Sequence, residues 1–94
     1  MRINLEVLSG PMDGHIFQFN STTDIGREGQ IKLAIDRFVS RLHAIIEVNG
    51  SQVVLEDNVS TNGTFVDDER VEGRVPLPNG KVFRVGRTWL QITW

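Results

Sequence analysis

Cysteine is absent from this 94-residue chain, so no disulfide staples it and no thiolate can hold a metal. Histidine is scarce. His15 and His43 alone cannot build a histidine-based metal site without help from carboxylates, and no metal or cofactor is expected. No tract of lysine and arginine runs along the chain, whose formal net charge is −2. Domains that grip nucleic acid through many phosphates usually carry such a tract, so nucleic acid is not an expected partner. No apolar run approaches the roughly 20 residues of a membrane helix. The opening MRINLEVLSG alternates polar and apolar residues where a signal peptide would place an apolar core. A membrane is therefore not an expected partner, and the chain is read as soluble and cytoplasmic, with the nucleus left open. A sustained helical stripe, an internal repeat, a low-complexity stretch and a linker are missing too. Residues 1–94 are read as a single domain. The chain stops at Trp94 inside an expected strand, which reads as a domain excised from a longer protein.

What is present is a period of two. Ile3, Leu5 and Val7 share one face of INLEV, and Leu42, Ala44, Ile46 and Val48 share one face of LHAIIEV. In TWLQITW, Trp89, Gln91 and Thr93 alternate with Leu90, Ile92 and Trp94; both tryptophans are expected to pack in the core or at its edge. HIFQF, IKLAI, QVVLE, GTFV and KVFRV are shorter runs of the same kind. Clusters of Gly, Pro, Asn, Asp and Ser separate them. Many short strands at this spacing predict an all-β sandwich or barrel. Asn49-Gly50, between apolar runs, predicts a hairpin with a type I′ turn, whose central residues both need positive φ. Asn79-Gly80 reads as another hairpin turn. The first of these places Leu42–Val48 on a strand, with Ser40 at its mouth and His43 inside it.

The stretch FVSRLHAII therefore makes a poor catalytic pair. Three steps along a strand cover about 10 Å and end on the opposite face, whereas a serine nucleophile needs its base within about 3.2 Å. No Gly or Pro bends the chain between Ser40 and His43. A hydrolase using these residues is disfavoured, and His43 is expected to bond the backbone of a neighbouring loop. The strand mouth instead offers backbone N–H groups, the Ser40 hydroxyl and the Arg41 guanidinium. Those are donors that a phosphate accepts, since hydrogen bonds with a charged partner are about twice as strong as neutral ones.

Two further stretches share this character. DIGRE places Gly26-Arg27 at the end of a short strand, and VSTNGTFV places Ser60-Thr61-Asn62-Gly63 before another. The order Gly-Arg, Ser-x-x-His, Ser-Thr-Asn-Gly-Thr-Phe-Val resembles the forkhead-associated (FHA) domain family. LSGPMDGHIFQF resembles the family's opening hairpin and LPNGKVFRVGRTWLQI its final strands, so the likeness covers nearly the whole chain. Asp67-Asp68 stands where the family often has Asn-Gly.

The resemblance implies an all-β sandwich of two antiparallel or mixed sheets, about eleven short strands, with ligand loops at one end. It implies a phosphothreonine-dependent binding module without catalysis, whose partner is a phosphothreonine-containing protein or peptide, in another protein or in its own parent chain. Arg27, Ser40, Arg41 and Thr61 would hold the phosphate. Asn62 would hold the peptide main chain, with Gly26, His43 and Gly63 supporting the loops from behind. Phe38, Asn58 and Val59 would read the third residue after the phosphothreonine, with an apolar side chain favoured. Glu28 and Asp36 are the nearby acids, both expected to face solvent. The alternative reading is a domain of the same fold whose protein contact does not depend on phosphate. Oligomeric state carries no signal in the sequence.

Overall fold

The alternating runs fold as strands in the computed structural model, which describes residues 1–94. In chain order they are β1 Ile3–Val7, β2 Ile16–Phe19, β3 Thr23–Gly26, β4 Ile31–Lys32, β5 Ala44–Asn49, β6 Gln52–Asp57, β7 Thr64–Val66, β8 Glu69–Arg70, β9 Arg74–Pro76, β10 Val82–Val85 and β11 Thr88–Thr93. One sheet has six strands in the order β2-β1-β11-β10-β7-β8, and the other has five in the order β4-β3-β5-β6-β9. The β3–β4 pair is parallel and its neighbour β3–β5 antiparallel, so the second sheet is mixed. The result is the expected all-β sandwich of eleven strands. No helix is long and apolar enough to cross a membrane.

Burial follows the period of two. Ile3, Leu5 and Val7 of β1 are buried with Phe83 and Val85 of β10 and Leu90 and Ile92 of β11. Ile25, Ala44, Ile46, Val53 and Leu55 are their buried counterparts from the second sheet, in one core cluster of 17 residues. A one-residue slip of β1 or β11 would bring Asn4, Glu6 or Gln91 inside, so the pattern sets the register. Trp94 packs against the core, while Trp89 stands 40% exposed on the outer face beside Arg84.

The structure corrects several local expectations. The strand after Ser40 begins at Ala44, and Leu42 is exposed. Of IKLAI only Ile31–Lys32 is strand; Leu33 lies past its end, buried in the core cluster with its N–H bonded to the Gly26 carbonyl at 3.0 Å. In the β5–β6 hairpin Asn49 pairs with Gln52, so the central residues are Gly50-Ser51. Positive φ falls on Gly50 and not on Ser51, the pattern of a type II′ turn rather than type I′. Asn79-Gly80 links β9 to β10, which lie in different sheets, and is no hairpin.

The type I′ turn lies elsewhere. Val66 pairs with Glu69, and Asp67 and Asp68 between them have φ of 52° and 64°. Aspartate tolerates this region better than most residues but still incurs a cost that glycine does not. Asp68→Gly is expected to stabilise the domain by about 0.5–1 kcal/mol, read as a higher urea midpoint at unchanged m. A lower midpoint would mean that the Asp68 side chain holds the turn in some other way. Asp67 should be left alone, because its carboxylate pairs with Lys81 Nζ at 2.7 Å.

Candidate phosphate-binding site

Three loops meet at one end of the sandwich, those joining β3 to β4, β4 to β5 and β6 to β7. The first two are locked by backbone bonds, Arg27 N–H to the Ser40 carbonyl at 3.1 Å and Glu28 N–H to the Arg41 carbonyl at 3.0 Å. Such close approach requires Gly26, where a Cβ would overlap the Arg41 carbonyl oxygen. Asn58 ties the third loop to the second, its N–H bonding the His43 carbonyl at 2.9 Å and its Nδ2 the Leu42 carbonyl at 3.3 Å. Thr61 N–H donates to Ser40 Oγ at 3.2 Å, and Asn62 Nδ2 donates to the Phe38 carbonyl at 2.9 Å. The loops form a bonded platform, since each is held to a neighbour through backbone groups.

His43 lies beneath the platform, fully buried. Its Nδ1 accepts from the Ser40 backbone N–H at 2.9 Å, which puts the ring proton on Nε2, where it is donated to the Gly63 carbonyl at 2.9 Å. Ser40 and His43 thus do meet, contrary to the strand argument, because residues 40–43 bend before β5 begins. They meet through the Ser40 main chain. Both ring nitrogens are engaged by backbone groups, so the ring has no acceptor left for the Ser40 hydroxyl proton.

Burial pushes the His43 pKa below its ordinary value, opposed in part by the Gly63 hydrogen bond and by the charges of Asp57 and Asp36. Asp57 organises the β6–β7 loop from within: its carboxylate accepts from the Ser60 N–H at 3.1 Å, from the Ser60 hydroxyl and from Thr64 Oγ1 at 2.7 Å. Ser60 Oγ in turn accepts the Gly63 N–H at 3.0 Å. Burial raises the Asp57 pKa, but these hydrogen bonds outweigh it and hold the carboxyl below its ordinary value.

A pH profile follows. The unfolded chain takes up a proton on His43 near pH 6.5, while the folded chain does so only at a lower pH. Stability should therefore decline below about pH 6.5, by at most about 1.4 kcal/mol per pH unit, until the folded value is passed. Asp57 works in another window. Its contribution is complete above about pH 4 and is lost as pH falls through its depressed folded value. Urea unfolding of the free domain at about pH 7.5 and about pH 5.5 isolates the first effect. Equal stabilities would contradict a neutral, buried His43.

The cleft over this platform is lined by Arg27, Glu28, Ser40, Arg41, Leu42, Val59 and Thr61. The residues expected to hold phosphate therefore line a single cleft. Arg27 Nε is the one buried side-chain polar atom without a hydrogen-bond partner, and no carboxylate pairs with its guanidinium. Ser40 Oγ, accepting from Thr61, is left with its own proton to donate. Glu28 approaches Arg41 Nε at 3.8 Å, but both side chains are largely exposed and the pair is weak. Asn62 faces a neighbouring stretch, and its carbonyl end and second amide hydrogen remain for other partners. Gly63, at φ 90°, is packed against the Phe65 ring, where a Cβ would come within 2.8 Å.

Phe38, expected from the resemblance to read the third residue after the phosphothreonine, carries arginines over its ring. Its ring is stacked by the guanidinium groups of Arg87, 3.9 Å from the centroid, and of Arg37, at 5.6 Å. Asp36 does not simply face solvent: its carboxylate accepts from Phe38 N–H at 2.9 Å, Arg87 N–H at 2.8 Å and Thr88 Oγ1 at 2.7 Å. It buttresses the β4–β5 loop on the β10–β11 turn. Neither Asp36 nor Arg87 signals this role in the sequence, since they lie 51 positions apart.

Comparison with known proteins bears on the family and the fold. The family model described as FHA domain matches residues 23–86. The FHA domain-containing protein FhaB of Mycolicibacterium smegmatis is 34% identical over 90 residues, 94% of this chain and 58% of FhaB. The chain thus spans little more than half of that relative's length. A solved structure from a structural and functional analysis of phosphothreonine-dependent FHA domain interactions superposes with a TM-score of 0.87 at 31% identity, covering 100% of this chain and 97% of the other. Mycobacterium tuberculosis EmbR in complex with a low-affinity phosphopeptide gives 0.86 at 28% identity, covering 98% of this chain and 24% of EmbR. With its motifs, its eleven-stranded sandwich and this match over most of its length, the chain belongs to the FHA-domain family.

Proposed function

We propose that the domain binds phosphothreonine in an extended peptide, without catalysing any reaction. The observation that carries this reading is Arg27: a guanidinium whose Nε is buried without a partner, in a cleft shared with Ser40, Arg41 and Thr61. The Arg27 side chain has no carboxylate or hydrogen-bond partner in the protein, so its terminal N–H groups are free to donate charge-assisted bonds to an anion in the cleft. Phosphothreonine carries a charge of about −1.5 to −2 near neutrality, which Arg27 and Arg41 together balance. Arg27 and the Ser40 hydroxyl clamp phosphate oxygens, and the free amide groups of Asn62 hold the peptide main chain beside them. Asn58 braces the loops through the Leu42 carbonyl, and Gly26, His43 and Gly63 hold the donors in place. The phosphopeptide bound to EmbR supports the same chemistry in a related fold. The partner is a phosphorylated protein of the cell interior or a segment of the parent chain.

The deciding experiment is a titration with peptides identical except for phosphothreonine, phosphoserine or threonine at one position. Micromolar binding of the phosphothreonine form, weakening as pH falls through about 6 where the dianion is lost, is expected. Equal affinity for the unphosphorylated peptide would overturn the reading in favour of phosphate-independent contact through the fold.

A further inference from the structure

Val59 has no structural reason to be valine. Its φ is +50°, a region that β-branched residues adopt only under strain, and its side chain is 95% exposed. The other positive-φ positions are filled by glycine, apart from Asp67 and Asp68 in their hairpin turn. The conformation is imposed by its neighbours, Asn58 being bonded to His43 and Leu42 and Ser60 to Asp57. The free protein therefore bears the strain of this side chain with almost no packing in return. Leu42 is similar: it lies 53% exposed just before a strand whose next residues are buried. Asn58 brings the two together, and both line the cleft that contains Arg27, Ser40, Arg41 and Thr61. They are its only apolar lining.

We infer that Leu42 and Val59 form an apolar clamp for a peptide side chain next to the phosphothreonine. The clamp rests on the phosphothreonine reading, and it moves Val59 from the third residue that the family resemblance implies to a nearer one, because Val59 shares the cleft of Arg27 and Ser40. It narrows the ligand class to peptides with an aliphatic or aromatic residue within one or two positions of the phosphothreonine. The short range follows from the shared cleft, because an extended chain advances about 3.3 Å per residue. Closing on such a side chain removes from water two apolar groups that the fold leaves exposed, and it is the return for the strain at Val59.

The test scans leucine through the two positions on either side of the phosphothreonine in a peptide otherwise of alanine. Wild type should bind one leucine peptide about five-fold or more tighter than the all-alanine parent. Val59→Gly and Leu42→Ser should each abolish that gain while binding the parent peptide within about two-fold of wild type. Val59→Asn, which keeps the left-handed conformation with a polar side chain, should behave like Val59→Gly and excludes loop loosening as the cause. Val59→Gly should also raise the melting temperature by about 4 °C. A leucine gain that survives in the variants, an equal loss on every peptide, or a lower melting temperature for Val59→Gly would overturn the clamp. Failure of wild type to bind any phosphothreonine peptide would overturn the underlying reading as well. That result is distinct from phosphate-dependent binding indifferent to leucine, which removes the clamp alone.

Discussion

Arg27→Ala is expected to weaken phosphothreonine-peptide binding about 100-fold or more while leaving the fold intact. A forked, charge-assisted contact with phosphate is worth about 3 kcal/mol, roughly a third of the free energy of a micromolar complex. The stability side of the prediction is less usual. Arg27 makes no side-chain hydrogen bond within the protein, and its buried Nε has no partner. Truncation removes that unsatisfied group, so unfolding free energy should change by less than about 1 kcal/mol and in the stabilising direction if at all. Arg27→Lys keeps the charge but not the planar fork and should recover only part of the affinity. Calorimetric titration beside urea unfolding separates the two quantities. Undiminished affinity in Arg27→Ala would remove this residue from the site, and a large loss of stability would show that it serves the fold.

Gly26→Ala should have the largest effect on stability. An added Cβ would overlap the Arg41 carbonyl oxygen, lie 2.7 Å from its carbon and 3.0 Å from Leu42 Cα. All three are backbone atoms, so no rotamer change relieves the conflict. The loops must separate, stretching the bonds from Arg27 N–H to Ser40 and from Glu28 N–H to Arg41. A loss of about 3 kcal/mol or more is expected, with phosphopeptide binding lost in whatever fraction folds, because Arg27 no longer stands against Ser40. Gly50→Ala is the control. Gly50 has φ +64° but open space around its Cβ position, so it should lose only about 1 kcal/mol. Similar losses for the two would refute the close-approach explanation.

Sequence and structure agree where the signal is local and repetitive. Alternation in INLEV and TWLQI corresponds to burial residue by residue in β1 and β11. Errors gathered at the ends of elements. LHAIIEV continues the alternation through Leu42, yet the strand starts at Ala44, because the preceding residues bend to place the Ser40 N–H against His43. Asn49-Gly50 signals a hairpin, and the pairing of Asn49 with Gln52 places the turn one residue later, at Gly50-Ser51. Asp67-Asp68, lacking the usual glycine, is the turn that adopts the type I′ geometry.

The all-β class, the inward faces of the long strands and the motifs that mark the family are legible in the sequence, since each depends on residues a few positions apart. It takes the packed fold to show that Arg27, Ser40, Arg41 and Thr61 share a cleft, that Asp36 braces the β10–β11 turn, that arginines cover Phe38, and that Leu42 and Val59 are left exposed together. These depend on which loops two packed sheets bring to the same end. The pairing of distant strands is set by burial of the whole core, which no short stretch of sequence encodes.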